Sequence, residues 1–164
     1  MRTIIHKKGN HACNLYLPKV WFRKPEIVIN FEFDSSAEYY HKNGYAGINK
    51  LGGVDFSPGT PANKGWSYMI GWSWDTDKIG IYWYVNNPKG DHLSGLLQSL
   101  PLIKENNKLM CRGQAKINFE GNKALFSSKN NYTFADGKTT NFCREIRPWF
   151  GGIYPAPHDI KIII

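Results

Sequence analysis

Residues Gly65 to Tyr84 read GWSYMIGWSWDTDKIGIYWY, two runs dense in aromatic and β-branched residues on either side of Asp75-Thr76-Asp77-Lys78. Polar turn formers between such runs predict a β-hairpin. Side chains alternate faces along a strand, so parity sorts each run. In the first, Trp66, Tyr68, Ile70, Trp72 and Trp74 share a face, and Ser67, Met69, Gly71 and Ser73 share the other. In the second, Ile79, Ile81, Trp83 and Val85 oppose Gly80, Tyr82 and Tyr84. Burying the two heavy apolar faces together leaves the small residues of the first run beside the two phenols of the second. Paired strands are therefore predicted over 65–74 and 79–85, with Trp72 and Trp83 largely buried and a shallow polar concavity on the opposite face. Taken alone, the Tyr-x-Tyr pair is better read as two phenols coating an exposed sheet.

The chain has 164 residues, the length of one domain that buries roughly 70% of its unfolded surface. Its 16 glycines, 9 prolines and 15% aromatic content suit a turn-rich β protein. No repeat or long linker divides it, so residues 1–164 are expected to form a single domain, with residues 1–25 as a strand region completing it. No apolar run approaches the ~20 residues of a membrane-spanning helix. The start, MRTIIHKKGNHACN, lacks the apolar core of a secretory leader. A cytoplasmic or virion-associated setting is accordingly expected ahead of Sec secretion. Cys13, Cys111 and Cys143 are odd in number and widely spread, a pattern of reduced, mostly buried thiols. The formal charge of +8 attracts polyanions without choosing among acidic polysaccharides, nucleic acid, nucleotides and anionic surfaces.

Along the chain, short strands are predicted around Ile4-Ile5 and Leu15-Tyr16-Leu17. Residues Glu26–Asp34 alternate cleanly, with Ile27, Ile29, Phe31 and Phe33 on the buried side, as in a half-buried antiparallel strand. Glu32 and Asp34 read as solvated charges of its other face. Residues 35–64 are rich in Gly, Pro, Asn and Ser and read as loop with short strand pieces. This loop delivers Lys50-Leu51-Gly52-Gly53, whose paired glycines permit positive φ and close backbone approach. Leu93 to Leu100 is the best helix or loop candidate, kept short by Gly95 and Pro101. Strands follow at Lys116–Phe119, Ala124–Phe126 and Tyr132–Phe134. A further strand enters at Arg144, a bend at Gly151-Gly152 and Pro155/Pro157 turns the chain, and an apolar strand closes it. Many short strands separated by turn chemistry indicate an antiparallel β-sandwich. P-loop, GxGxxG, HExxH and GxSxG patterns are absent, and His6, His11 and Cys13 match no ligand spacing. Asp75 and Asp77 sit at a hairpin tip, where Asp stabilises turns. Neither a metal nor a cofactor is expected.

Three segments occur in a telling order: Lys50-Leu-Gly-Gly53, then Ser67-x-Met69-x-Gly71-Trp72 with Tyr82-x-Tyr84, then Trp149-Phe-Gly-Gly152. Together, over roughly residues 26 to 164, they resemble the alginate and glucuronate lyases of polysaccharide lyase family 14 and their relatives. The resemblance implies a concanavalin-like jelly roll. It also implies catalytic roles for Lys50, Tyr82 and Tyr84 and a substrate-binding role for Ser67. Met69 stands where the family has an arginine, and Gly52 where it has a proline. β-Elimination removes the proton at C5 of a uronic acid beside a carboxylate that must be neutralised, while an acid protonates the leaving oxygen at C4. A tyrosine, with an ordinary pKa of about 10, needs positive charge nearby to act as the base. Lys50 is placed to supply that charge; Met69 is not. The functional expectation is an acidic-carbohydrate-binding protein with weak or altered lyase chemistry. The alternative is a non-enzymatic virion or host-interaction module, and a nucleotide or nucleic-acid binder ranks last because no RNP-type motif is present.

Overall fold

The computed structural model describes residues 1–13, 17–40, 47–57, 59–105, 108–151 and 154–164. In chain order the strands are β1 Thr3–His6, β2 Val20–Trp21, β3 Ile27–Asp34, β4 Asn49–Asp55, β5 Ser67–Asp75, β6 Lys78–Asn86, β7 His92–Pro101, β8 Ile103–Glu105, β9 Lys108–Glu120, β10 Lys123–Ser128, β11 Asn131–Asp136, β12 Cys143–Ile146 and β13 Ile160–Ile163. They build two antiparallel sheets packed as a sandwich of jelly-roll type. One sheet is ordered β1-β13-β3-β9-β10-β11, with β8 added on β9; the other is ordered β2-β12-β4-β5-β6-β7. Among the described residues no helix is long and apolar enough to cross a membrane.

The predicted hairpin is β5–β6. Asp75 pairs with Lys78, so only Thr76 and Asp77 form the turn, with Thr76 at φ 55°. Its aromatic face lies between the sheets, where Tyr68, Ile70, Trp72, Ile79 and Ile81 have no exposed surface. Trp83 is partly buried against the same core. The facing sheet presents Ile27, Ile29, Phe31 and Phe33 from β3, all buried as their alternation predicts. Rings meet across the interface at favourable tilts: Phe33 and Trp72 centroids lie 4.9 Å apart, Tyr68 and Phe119 5.3 Å apart at 80°. Apolar burial at about 25 cal/mol per Å², plus about 0.5–1.5 kcal/mol for each well-oriented ring pair, ties the sheets together through this hairpin.

Two local expectations are corrected. Residues 93–100 are neither helix nor loop but the middle of edge strand β7. Leu97 is an extra residue opposite the Ile81/Tyr82 step, a bulge that breaks the period-two pattern by which a strand is recognised. Gly95 belongs to that pairing, since a Cβ there would come within 2.4 Å of the Trp83 indole nitrogen. Lys50 likewise lies not in a loop but in β4, between β12 and β5 in the sheet. Its two glycines serve the pairing: Gly52 takes φ +153° at a bulge, and a Cβ on Gly53 would stand 2.2 Å from the Tyr68 carbonyl. Of the remaining readings, Leu15, Tyr16 and Gly152 lie outside the described residues. Leu17, at the end of the strand expected over Leu15-Tyr16-Leu17, is in no strand, whereas Ile4-Ile5 lies in β1 as expected.

Candidate functional site

Residues directly opposite one another in an antiparallel sheet project from the same face, so the pairings define rows across it. On the outer face, away from the core, one row runs Arg144, Asp55, Ser67, Asn86, His92. The next runs Ile146, Gly53, Met69, Tyr84, Ser94. A third runs Trp149, Lys50, Gly71, Tyr82, Leu96, its first step being an isolated bridge. These rows underlie a cavity of about 660 Å³, lined among others by Lys50, Met69, Tyr84, Arg144, Arg147 and Trp149.

Lys50 and Tyr84 form its centre. The ammonium nitrogen sits 3.7 Å from the Tyr84 ring centroid and donates to the Ile48 carbonyl at 2.6 Å. The electron-rich ring face attracts a cation, which holds the ammonium over the phenol. Burial lowers the lysine from its ordinary 10.5 to about 8, because the charged form has lost water. On the β7 side, His92 stacks on Tyr84 at 5.1 Å and 7°, so this phenol is held from both flanks.

The other two expected residues are placed differently. Ser67 has no exposed surface; its hydroxyl donates to the Ala62 carbonyl at 2.7 Å and accepts from Asn86 Nδ2 at 3.0 Å. It braces the wall of the cavity instead of facing into it. Tyr82 shares the face of Tyr84, but its ring lies along its own strand over Gly80, where a Cβ would meet it at 2.7 Å. Ile48 fills the space above Gly71, in the row between Lys50 and Tyr82. The structure therefore brings Lys50 and Tyr84 together, and sets Ser67 beneath and Tyr82 beside them.

No protein-family model matches this chain, and no curated protein is significantly similar to it in sequence. The chemistry of the site is consequently read from its own residues.

Several of them escaped the sequence reading as site residues. Trp149 is 47% exposed and opposes Lys50 directly, with backbone hydrogen bonds of 2.7 and 2.9 Å in both directions. Arg144 reaches Asp55 at 2.8 Å, and Asp55, fully buried, also accepts from the Ser57 amide at 2.8 Å. Arg147 contributes a second guanidinium to the cavity wall. Glu145 also borders this cavity, but its carboxylate Oε2 accepts from the amide of Lys19, a residue that lines the neighbouring cavity, at 2.9 Å. Asn49 stitches this corner together: it donates to the Tyr39 hydroxyl at 2.9 Å and accepts from the Gly151 amide at 2.8 Å. Parity had already put Met69 on this face and, carried one residue further along the second run, adds Asn86, but the arrival of β12 and Trp149 depends on pairing across about a hundred residues of chain. Among the described residues no group of three or more His, Cys, Asp or Glu stands close enough to share a metal ion. Cys111 and Cys143 are buried, and burial pushes their thiols up to about 12 and about 11.

Proposed function

We propose that the outer-face cavity binds an acidic carbohydrate, with Lys50 and Tyr84 at the point where the sugar is held. The observation that carries this reading is the Lys50 ammonium over the Tyr84 ring, inside a cavity whose wall also bears Arg144, Arg147 and an exposed indole. Cations draw in the anionic group, and flat apolar rings suit the C–H faces of a pyranose. The resemblance to polysaccharide lyase family 14 supports the same reading from the motifs.

The arrangement also supports weak or altered β-elimination. In that reaction a base takes the C5 proton, the electron pair forms the C4–C5 double bond, the C4–O bond breaks, and an acid protonates the departing oxygen. An amine that titrates near 8 is partly neutral in mildly alkaline solution and so competent as the base. Tyr84, within reach of the same space, is the candidate acid. Met69, paired with Tyr84 across β5 and β6, brings no charge to the uronate carboxylate, so binding is expected to outlast turnover. That same feature favours the second reading, a non-enzymatic recognition module of a virion or host-interaction protein using the cavity for binding alone. Binding and absorbance at the unsaturated uronate band, measured over a panel of acidic and neutral glycans, test both. Binding of acidic glycans is expected, with slow or no gain in absorbance. A cavity indifferent to every acidic glycan would end the proposal, and rapid turnover would displace the recognition-module reading.

A further inference from the structure

We infer that Trp149 and Arg147 form a uronate subsite, the indole supporting the pyranose ring and the guanidinium taking its carboxylate. This inference rests on the reading of the cavity as an acidic-glycan site and adds how the ring and the charge are recognised.

Trp149 is a large aromatic side chain that stays about half exposed yet is held in place. Its backbone is clamped to Lys50 in both directions, so the indole and the lysine rise as neighbours from one face. His11 stacks on the indole at 5.5 Å and 11°, covering one face of it. His11 is itself fixed, because its Nδ1 lies 2.7 Å from the Phe150 carbonyl, which it reaches only as a donor. A ring already ordered before binding loses little entropy when a ligand stacks on it. The lining of the cavity by Trp149 turns this platform toward the space where Lys50 and Tyr84 meet.

Arg147 comes from the same short segment, separated from Trp149 only by Pro148, whose ring fixes φ. Arg147 and Trp149 line the same cavity as Lys50 and Tyr84. A guanidinium presents a planar fork that matches a carboxylate. A uronic acid offers the two complementary features at once, an apolar C–H ring face and a planar carboxylate at its edge. A neutral sugar lacks the second, and a sulfate ester lacks its planarity. Delivered from the β12 side, Arg147 would also provide the neutralising charge that Met69, on β5, does not.

Calorimetric titration of the full chain with oligouronates, and with the same oligomers after carboxyl reduction, tests the subsite. The unmodified protein is expected to bind the oligouronate at least about tenfold more tightly than the reduced oligomer. Arg147→Gln should cost about tenfold for the oligouronate and leave the reduced oligomer unaffected; Arg147→Lys should recover only part of the loss. Trp149→Ala should weaken both ligands by about tenfold, with Trp149→Leu as the substitute should the alanine variant fail to fold in a thermal melt. Oligouronate binding unchanged in Arg147→Gln, or in the folded Trp149 variant, would overturn the subsite while leaving the cavity reading intact. No binding of any acidic glycan by the unmodified protein would overturn both.

Discussion

A lysine lying against the Tyr84 ring and the Ile48 carbonyl has traded much of the hydration of its ammonium for those two contacts. Its fall to about 8 records an incomplete exchange. Below about pH 8 Lys50 is charged in both folded and unfolded chains, and the folded state bears the full cost. Between about 8 and 10.5 the unfolded chain holds the extra proton, so stability rises with pH until the penalty has gone. Lys50→Met, similar in length and without charge, is therefore expected to raise stability at pH 7 by about 1–3 kcal/mol, the gain vanishing by roughly pH 10.5. Thermal melts at the two pH values check this. The same lysine should matter oppositely for ligand. Lys50→Ala should weaken acidic-glycan binding and flatten its dependence on salt, since exposed charges are screened over about 10 Å at 0.1 M. In the unmodified protein, binding should weaken as pH passes 8 while any elimination should quicken. Tyr84→Phe keeps the ring beneath the ammonium and removes the proton donor, so binding is expected to persist while turnover, measured by uronate absorbance, is lost.

Strand β4 shows how an element read as loop becomes the hinge of the site. Its glycines suggested freedom, but Gly53 is an enforced close approach: a Cβ would lie 2.2 Å from the Tyr68 carbonyl and 2.7 Å from Met69 Cα. Backbone cannot yield as a flexible side chain can. Gly53→Ala is expected to destabilise the fold by several kcal/mol, on the order of the larger single-site losses, whereas Gly59→Ala, with nothing within 4 Å, should be near neutral. Denaturant midpoints of the two variants give the comparison. Since β4 carries Lys50 and pairs with both β5 and β12, Gly53→Ala should also lose glycan binding where it remains folded. The hairpin β5–β6 was legible because its alternation is uninterrupted and its turn short. Strand β7 was not, because the extra Leu97 shifts the alternation midway. Bulges hide strands from period-two reading for the same reason that they help shape a sheet: one residue more than the partner needs.

At the scale of the whole molecule, the joining of the first strand, the last strand and the site segment is reported by His6. It is fully buried in β1, pairs with Ile160 of β13, bridges to Cys13 and lies 5.9 Å from the Phe150 ring. Burial holds it down to about 4, so the folded imidazole stays neutral where an unfolded one, near 6.5, takes up a proton. Between those values the unfolded state binds more protons, and stability falls as pH drops. At pH 4.5 the loss from this group should be roughly 2 kcal/mol. His6→Leu is expected to remove that part of the acid sensitivity, seen as a smaller fall in melting temperature between pH 7 and 4.5; an unchanged fall would show that other groups control it. Sequence by itself determined the sandwich class, the β5–β6 hairpin and the face that Lys50's future neighbours share, because alternation and turn chemistry are local and are written every second residue. Only tertiary structure decided which of those neighbours a ligand can meet. Ser67 is sealed by Ala62 and Asn86, Tyr82 is laid over Gly80, and Arg144, Arg147 and Trp149 arrive from the far end of the chain. The physical reason is that pairing between distant strands is fixed by the free energy of the whole packed sandwich, and no short window of residues carries that register.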